Sequence, residues 1–248
     1  MRGIVTQHFG NGKEFKKNPT AVYFDINTVG HCTPDNLTSS KYNLPFAAFG
    51  LNLLVHIITV TPPDKIGIIT PYVAQKTAYL RALDKLHKQD PSKNYQSVKV
   101  DTIDSFQGSE RHVIIFDTVI TDKPGFMERK ERLLVAMTRA RDFQVIICRT
   151  STLQSSRGKN PELLQLYEMA QKDGQCYTVD YGHEWFNHYA IAPPVRFTMA
   201  ELGQMRLADV PQYTAIFNGV KDIPADELEA MRNSVSGYTY TGRPTPAW

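Results

Sequence analysis

Residues 21–26 read AVYFDI, an apolar run with alternating character that predicts a β-strand. Residues 28–43, rich in Gly, Pro, Ser and Asn, read as a loop. The most apolar stretch, LPFAAFGLNLLVHIITV at 44–60, predicts a buried helix over 45–59. It falls short of the roughly 20 residues that span a bilayer and contains Asn52 and His56, so a membrane role is not expected. A short strand, IGIIT, follows at 66–70, then a helix over 73–87. Ala74, Ala78, Leu83 and Leu86 mark the core side of that helix, and Lys76, Arg81 and Lys85 spread over the rest. A strand opens at 97–100, and the polar turn TIDSFQGSE separates it from another, HVIIFDTV, at 112–119. A helix at 131–140 and the strand FQVIIC at 143–148 complete the series. Continuous apolar strands separated by helical segments mean a parallel sheet covered on both faces. In such sheets ligand chemistry collects on loops at the carboxyl ends of strands. Residues 70–75, 102–110 and the helix before the last strand are expected there.

Beyond Arg149 the pattern changes. Asn160-Pro161-Glu162 is a good helix start, and the helix should end near Gly174. The chain then becomes aromatic and proline-containing, with short helices expected near Thr198–Glu201 and over 226–233. The expected organisation is an N-terminal segment at 1–20, a domain at 21–175 and an irregular extension packed on it at 176–248. A chain of 248 residues accommodates one domain with such an appendage. Its net charge of +3 permits an anionic partner without demanding one. Cys32, Cys148 and Cys176 are scattered, which argues against a zinc site or disulfide framework and for a reducing, intracellular location. The N-terminus, MRGIVTQHFGNGKEFKK, lacks the apolar region of a secretory signal.

Three segments stand in order: IGIITPYVAQ at 66–75, VDTIDSFQGSE at 100–110 and RLLVAMTRAR at 132–141. On a helix, Leu133, Ala136, Met137 and Ala140 of the third make a stripe that must face the core. Arg132 and Arg139, seven apart, then share one flank, and Arg141 falls on the other. A guanidinium on a packed helix at a domain edge is placed to reach an anion on a neighbouring domain, although an isolated RAR would be surface arginines by default. In the second segment Gly108 allows backbone conformations closed to other residues, and Thr102 and Ser105 carry small hydroxyls suited to phosphate or ribose.

Together the three segments resemble motifs IV, V and VI of superfamily 1 helicases, nearest the branch of the nonsense-mediated decay helicase and senataxin. The resemblance covers roughly residues 20–150. It implies an α/β fold, the second RecA-like domain of such a motor, three-layered with a mostly parallel sheet. ATP with magnesium would bind between this domain and a first RecA-like domain, joined in cis or trans, that carries the phosphate loop and the magnesium ligands. By resemblance Arg139 is the arginine finger, contacting the γ-phosphate and stabilising charge on the transferring phosphoryl group, an effect on the order of 10³-fold or more elsewhere. Gln107, Gly108 and Glu110 face the nucleotide, with Glu110 accepting from the ribose hydroxyls. Thr70, Tyr72, Gln75, Thr102, Asp104 and Ser105 line the path of a single-stranded nucleic acid, RNA in preference to DNA. Asp104 and Ser105 are equally suited to satisfying backbone N–H groups in a tight turn, and Tyr72 to packing.

Two look-alikes fail. Gly10-Asn11-Gly12-Lys13-Glu14 has Gln7 where a Walker A loop needs its first glycine, and Glu14 where Ser or Thr should bind magnesium. Val113–Asp117 resembles a Walker B strand, yet Thr118 follows where a catalytic glutamate belongs. No metal site is expected, and His183 and His188 read as structural. One position departs from the branch's pattern: Leu134 replaces an asparagine. The expected function is the C-terminal motor half of an ATP-dependent helicase, inactive alone. The rival is a non-catalytic relic that binds RNA or protein.

Overall fold

The computed structural model describes residues 21–26, 32–35, 40–122, 129–154, 161–179 and 183–193, all within one compact unit ending at Pro194. The segment 1–20 and the short helices expected near 198–201 and 226–233 lie outside the described residues.

The strands of the main sheet are β1 (Ala21–Asp25), β4 (Ile66–Thr70), β5 (Lys99–Thr102), β6 (Arg111–Asp117), β7 (Ala140–Cys148) and β8 (Cys176–Thr178). They lie in the order β5-β4-β6-β7-β1-β8, and every neighbouring pair is parallel. A separate antiparallel pair, β2 (Thr33–Pro34) and β3 (Lys41–Tyr42), forms beside it. The helices are α1 (Leu44–Ile57), α2 (Val73–Gln89), α3 (Lys130–Met137), α4 (Thr150–Gln154) and α5 (Pro161–Lys172).

The strands read as unbroken apolar runs because both faces are covered. Val22, Phe24, Ile66, Ile68, Val113, Ile115, Val145 and Ile147 pack with α1 and α2. Tyr23, Ile69, Ile114, Phe116 and Ile146 point the other way, onto Leu133 and Ala136 of α3 and Leu163, Tyr167 and Ala170 of α5. Side chains alternate across a strand, so each run divides cleanly between two cores. The result is the expected three-layer α/β, RecA-like arrangement.

α1 starts where the sequence dictates: the Asn43 side chain accepts from Phe46 N at 3.2 Å, and a proline occupies the first turn. The helix is buried because α2 and a C-terminal strap, residues 183–193, lie against it. Trp185 in the strap stacks on His56 of α1 with centroids 4.6 Å apart. Asn52 of α1 donates to the Trp185 carbonyl at 3.1 Å, while Arg81 and Lys85 of α2 donate to the Pro193 and Tyr189 carbonyls, each at 2.8 Å. His183 and His188 accept from nearby backbone N–H groups, of Trp185 and Ala190.

One expectation is corrected. The helix expected to run to residue 140 ends at Met137, and Ala140 already belongs to β7. Thr138 closes the helix by donating its hydroxyl to the Leu134 carbonyl at 2.7 Å. Pairing with β6 then takes over: Ala140 stands in register with Arg111, and Arg111 N donates to the Arg139 carbonyl at 3.1 Å. Leu133 and Ala136 are buried as the stripe requires, but Met137 is half-buried, Arg139 sits in a helix-to-strand connection and Arg141 lies on a strand.

Candidate functional site

The chemistry-bearing residues divide between two ends of the sheet. At the carboxyl ends of β4 and β5, Ile103 N donates to the Thr70 carbonyl at 3.1 Å, joining the two strand ends. Thr102 donates its hydroxyl to Ser105 Oγ at 3.1 Å, leaving two small polar groups together on the turn. Thr70 is fully buried, and its hydroxyl has no hydrogen-bond partner among the described residues. The Tyr72 ring is also buried, in a cluster with Ile69 and Ile103. Ser40, from the connection between β2 and β3, accepts from Ala74 N at 2.9 Å and so occupies one donor at the start of α2.

Gln75 does not face this turn. Its amide is buried, donating to Asp117 Oδ2 at 2.6 Å and to the Asn43 carbonyl at 3.1 Å while accepting from Asn43 N at 2.8 Å. Tyr79 donates its hydroxyl to the same Asp117 oxygen at 2.8 Å, and Val119 N donates to the other at 2.9 Å. Asn43 closes the ring by donating to the Val119 carbonyl at 3.2 Å. Burial pushes the Asp117 carboxyl up to about 6, against the pull of the donors from Gln75, Tyr79 and Val119. Val119 holds φ at 65°, a left-handed conformation costly for a β-branched residue. Sequence reasoning missed this network. Its traces were an asparagine before a proline-started helix and an aspartate ending an apolar strand.

From Thr102 the chain must cross β4 to reach β6, and it does so in the eight residues 103–110. Gly67 of β4 makes room: a Cβ there would lie 2.8 Å from the Phe106 ring and 2.8 Å from Ile114 Cδ1. Lys99 clips the far side, donating to Ser109 Oγ at 2.6 Å with its ammonium 4.9 Å from the centroid of the Phe106 ring. Gly108 turns the chain with φ of 78°, and Gln107, Gly108 and Glu110 are exposed.

The crossover therefore delivers Glu110 to the amino-terminal edge of the sheet, not to the carboxyl ends where it was expected. Arg139 and Arg141 stand on the same edge. Glu110 Oε2 accepts from Arg141 Nε at 3.0 Å, and one step along His112 meets Asp142 at 2.7 Å. The Arg139 guanidinium is held by neutral acceptors, the Val135 carbonyl at 3.0 Å and the Thr138 hydroxyl at 2.8 Å. Among the described residues no carboxylate pairs with it, so its positive charge is oriented but not compensated.

Asp104 is exposed and has a side-chain partner that the sequence did not suggest. Its carboxylate takes a two-pronged bond from Arg132 of α3, Nε to Oδ1 at 3.2 Å and Nη2 to Oδ2 at 3.3 Å. The turn beside Thr102 is thereby tied to α3, the helix that leads into the connection holding Arg139. Among the described residues no group of His, Cys, Asp and Glu is arranged to hold a metal ion. No helix among them is long and apolar enough to cross a membrane.

Comparison with known proteins places residues 6–151 on a family profile described as an AAA domain. The chain is similar to helicase sen1 of Schizosaccharomyces pombe, 33% identical over 126 residues, which is 48% of this chain and 7% of that protein. It is similar to the regulator of nonsense transcripts 1 homolog of Drosophila melanogaster, 34% identical over 112 residues, 43% of this chain and 9% of that protein. It is also similar to the 5'-3' DNA helicase ZGRF1 of Mus musculus, 29% identical over 140 residues, 56% of this chain and 7% of that protein. The matched region thus spans less than a tenth of the length of each of these relatives.

Proposed function

The chain belongs to the AAA domain family matched over residues 6–151, as a C-terminal helicase domain of the branch that holds the nonsense-mediated decay helicase and senataxin, and from that premise we propose that it is the second half of an ATP-driven motor on single-stranded nucleic acid. ATP is the substrate, bound between this domain and a first RecA-like domain that supplies the phosphate loop and the magnesium ligands. Arg139 acts as the arginine finger, and Glu110 accepts from the ribose hydroxyls, with Gln107 and Gly108 beside the nucleotide. Thr102 and Ser105 take backbone contacts on the strand, with Thr70 and Tyr72 shaping the floor beneath them; Gln75 acts from inside the domain. The relatives named for nonsense transcripts make RNA the strand proposed first.

The observation that carries this reading is the first rung of the ladder between β6 and β7. The bond from Arg111 N to the Arg139 carbonyl, with Arg111 paired to Ala140, sets on one edge the Glu110 carboxylate and a guanidinium that no carboxylate among the described residues pairs. A cation held by neutral acceptors costs little to swing towards a developing phosphoryl charge, whereas one locked to a carboxylate would first lose that partner.

The test joins this chain to the first RecA-like domain of a relative and measures nucleic-acid-stimulated phosphate release. Arg139→Ala should lower turnover by about 10²-fold or more while nucleotide binding changes far less. Arg141 is unsuited as the control because it holds Glu110, so Lys88→Ala serves, an exposed cation paired with Asp84 on its own helix α2. Equal, small losses from both variants would sink the finger assignment. Leu134, 52% exposed where the family pattern has asparagine, favours a second reading, the non-catalytic relic that binds RNA or protein. A folded fusion without turnover would decide for it.

A further inference from the structure

The ion pair at the edge of β6 and β7 has a role that the finger and ribose assignments leave open. We propose that Arg141 is the positioning residue for Glu110, fixing its carboxylate so that nucleotide recognition depends on the sugar hydroxyls. The proposal rests on reading Glu110 as the ribose acceptor.

Glu110 ends an eight-residue crossover and is exposed, with three rotatable side-chain bonds to order before it can accept from a ligand. Arg141 Nε takes one carboxylate oxygen, Oε2, at 3.0 Å, which leaves Oε1 and the remaining lone pairs for other donors. The Arg141 backbone is fixed, since it stands on β7 one residue after Ala140, the register partner of Arg111. The carboxylate is therefore tied to the strand that begins beside Arg139. Other charged groups on this edge have other partners: His112 meets Asp142, Arg111 donates to the Glu110 carbonyl at 2.8 Å, and Lys99 donates to Ser109. With Arg141 60% and Glu110 46% exposed, the pair adds little to the stability of the fold. Its consequence lies in orientation: a carboxylate already held loses less freedom when the ribose arrives.

The experiment uses the same two-domain fusion and compares KM and kcat for ATP and 2'-deoxyATP. The wild type should prefer ATP, and Arg141→Ala should shrink that preference by roughly three- to tenfold through KM for ATP, with kcat and melting temperature nearly unchanged. Arg141→Lys should restore part of the preference, and Glu110→Gln should reproduce the loss, with no further change in the double variant. A sugar preference that survives Arg141→Ala, in a fusion where Glu110→Gln abolishes it, overturns the positioning role alone. A wild-type fusion without sugar preference, or without turnover, overturns the ribose reading and this proposal with it.

Discussion

Asp117 shows how far a single residue can stand from its sequence appearance. In the sequence it ends an apolar strand and resembles a magnesium-binding aspartate; in the fold it is the centre of a buried network of Gln75, Tyr79, Asn43 and Val119. Nothing local in the sequence reports that closure, because its members lie up to 76 residues apart. Its titration gives a prediction. The folded carboxyl sits at about 6 against an ordinary 3.8, so the folded state holds its proton more tightly than the unfolded chain. Stability from this group is therefore fully present below about pH 4 and is lost as pH rises to about 6, after which the curve is flat. The loss is on the order of 3 kcal/mol, at about 1.4 kcal/mol for each unit of the shift. Urea denaturation of the wild type and of Asp117→Asn, which cannot titrate, should give curves whose difference falls between pH 4 and 6. A constant difference across that range would contradict the assignment.

Among the elements, those with a periodicity of their own were legible: β1, α1, β4, α2 and β6 lie within a few residues of expectation. The end of α3 was not. Leu133, Ala136, Met137 and Ala140 satisfy helical spacing, and only the pairing of Ala140 with Arg111 across the sheet shows why the strand begins there. The edge strand β8, three residues beside β1, carries no pattern strong enough to announce itself. The crossover from β5 to β6 was read as a polar turn, and its two buried anchors, Ile103 and Phe106, make it part of the core. Gly67→Ala tests that packing. The added methyl meets Phe106 and Ile114 at 2.8 Å, an overpacking expected to cost about 1–3 kcal/mol. Thermal denaturation should show a lowered melting temperature. Phe106→Leu, which withdraws the ring, should make the double variant less destabilised than the sum of the single losses. Strict additivity would mean that the ring and the glycine do not share the space the geometry gives them.

At the scale of the whole molecule, the three motifs were legible as a set while their distribution over two ends of the sheet was not. Spacing along the chain says nothing about which edge a crossover reaches. That distribution gives the last prediction, for the 248-residue chain alone. It carries no phosphate loop matching the one the family needs, so phosphate release should stay at background with ATP, magnesium and single-stranded RNA present. Nucleic-acid binding should survive, because the turn at the carboxyl ends of β4 and β5 lies at the opposite end of the sheet from the edge proposed to meet the nucleotide. On the proposed reading Thr102 and Ser105 meet the strand at its backbone and not at base edges, so binding should be weak and indifferent to sequence. The Asp104 carboxylate would repel a phosphate there, and Arg132 neutralises it. Neutralising two or three phosphates corresponds to a slope of roughly −1.4 to −2.1 in log affinity against log salt for a single strand. Fluorescence anisotropy with matched RNA and DNA oligonucleotides across a salt series measures both the slope and the preferred strand. Arg132→Ala should weaken binding by leaving the carboxylate bare, and adding Asp104→Asn should recover part of the loss. Salt-independent affinity would indicate a protein-binding surface instead. A loss from Arg132→Ala that Asp104→Asn leaves untouched would mean that Arg132 meets the phosphate itself.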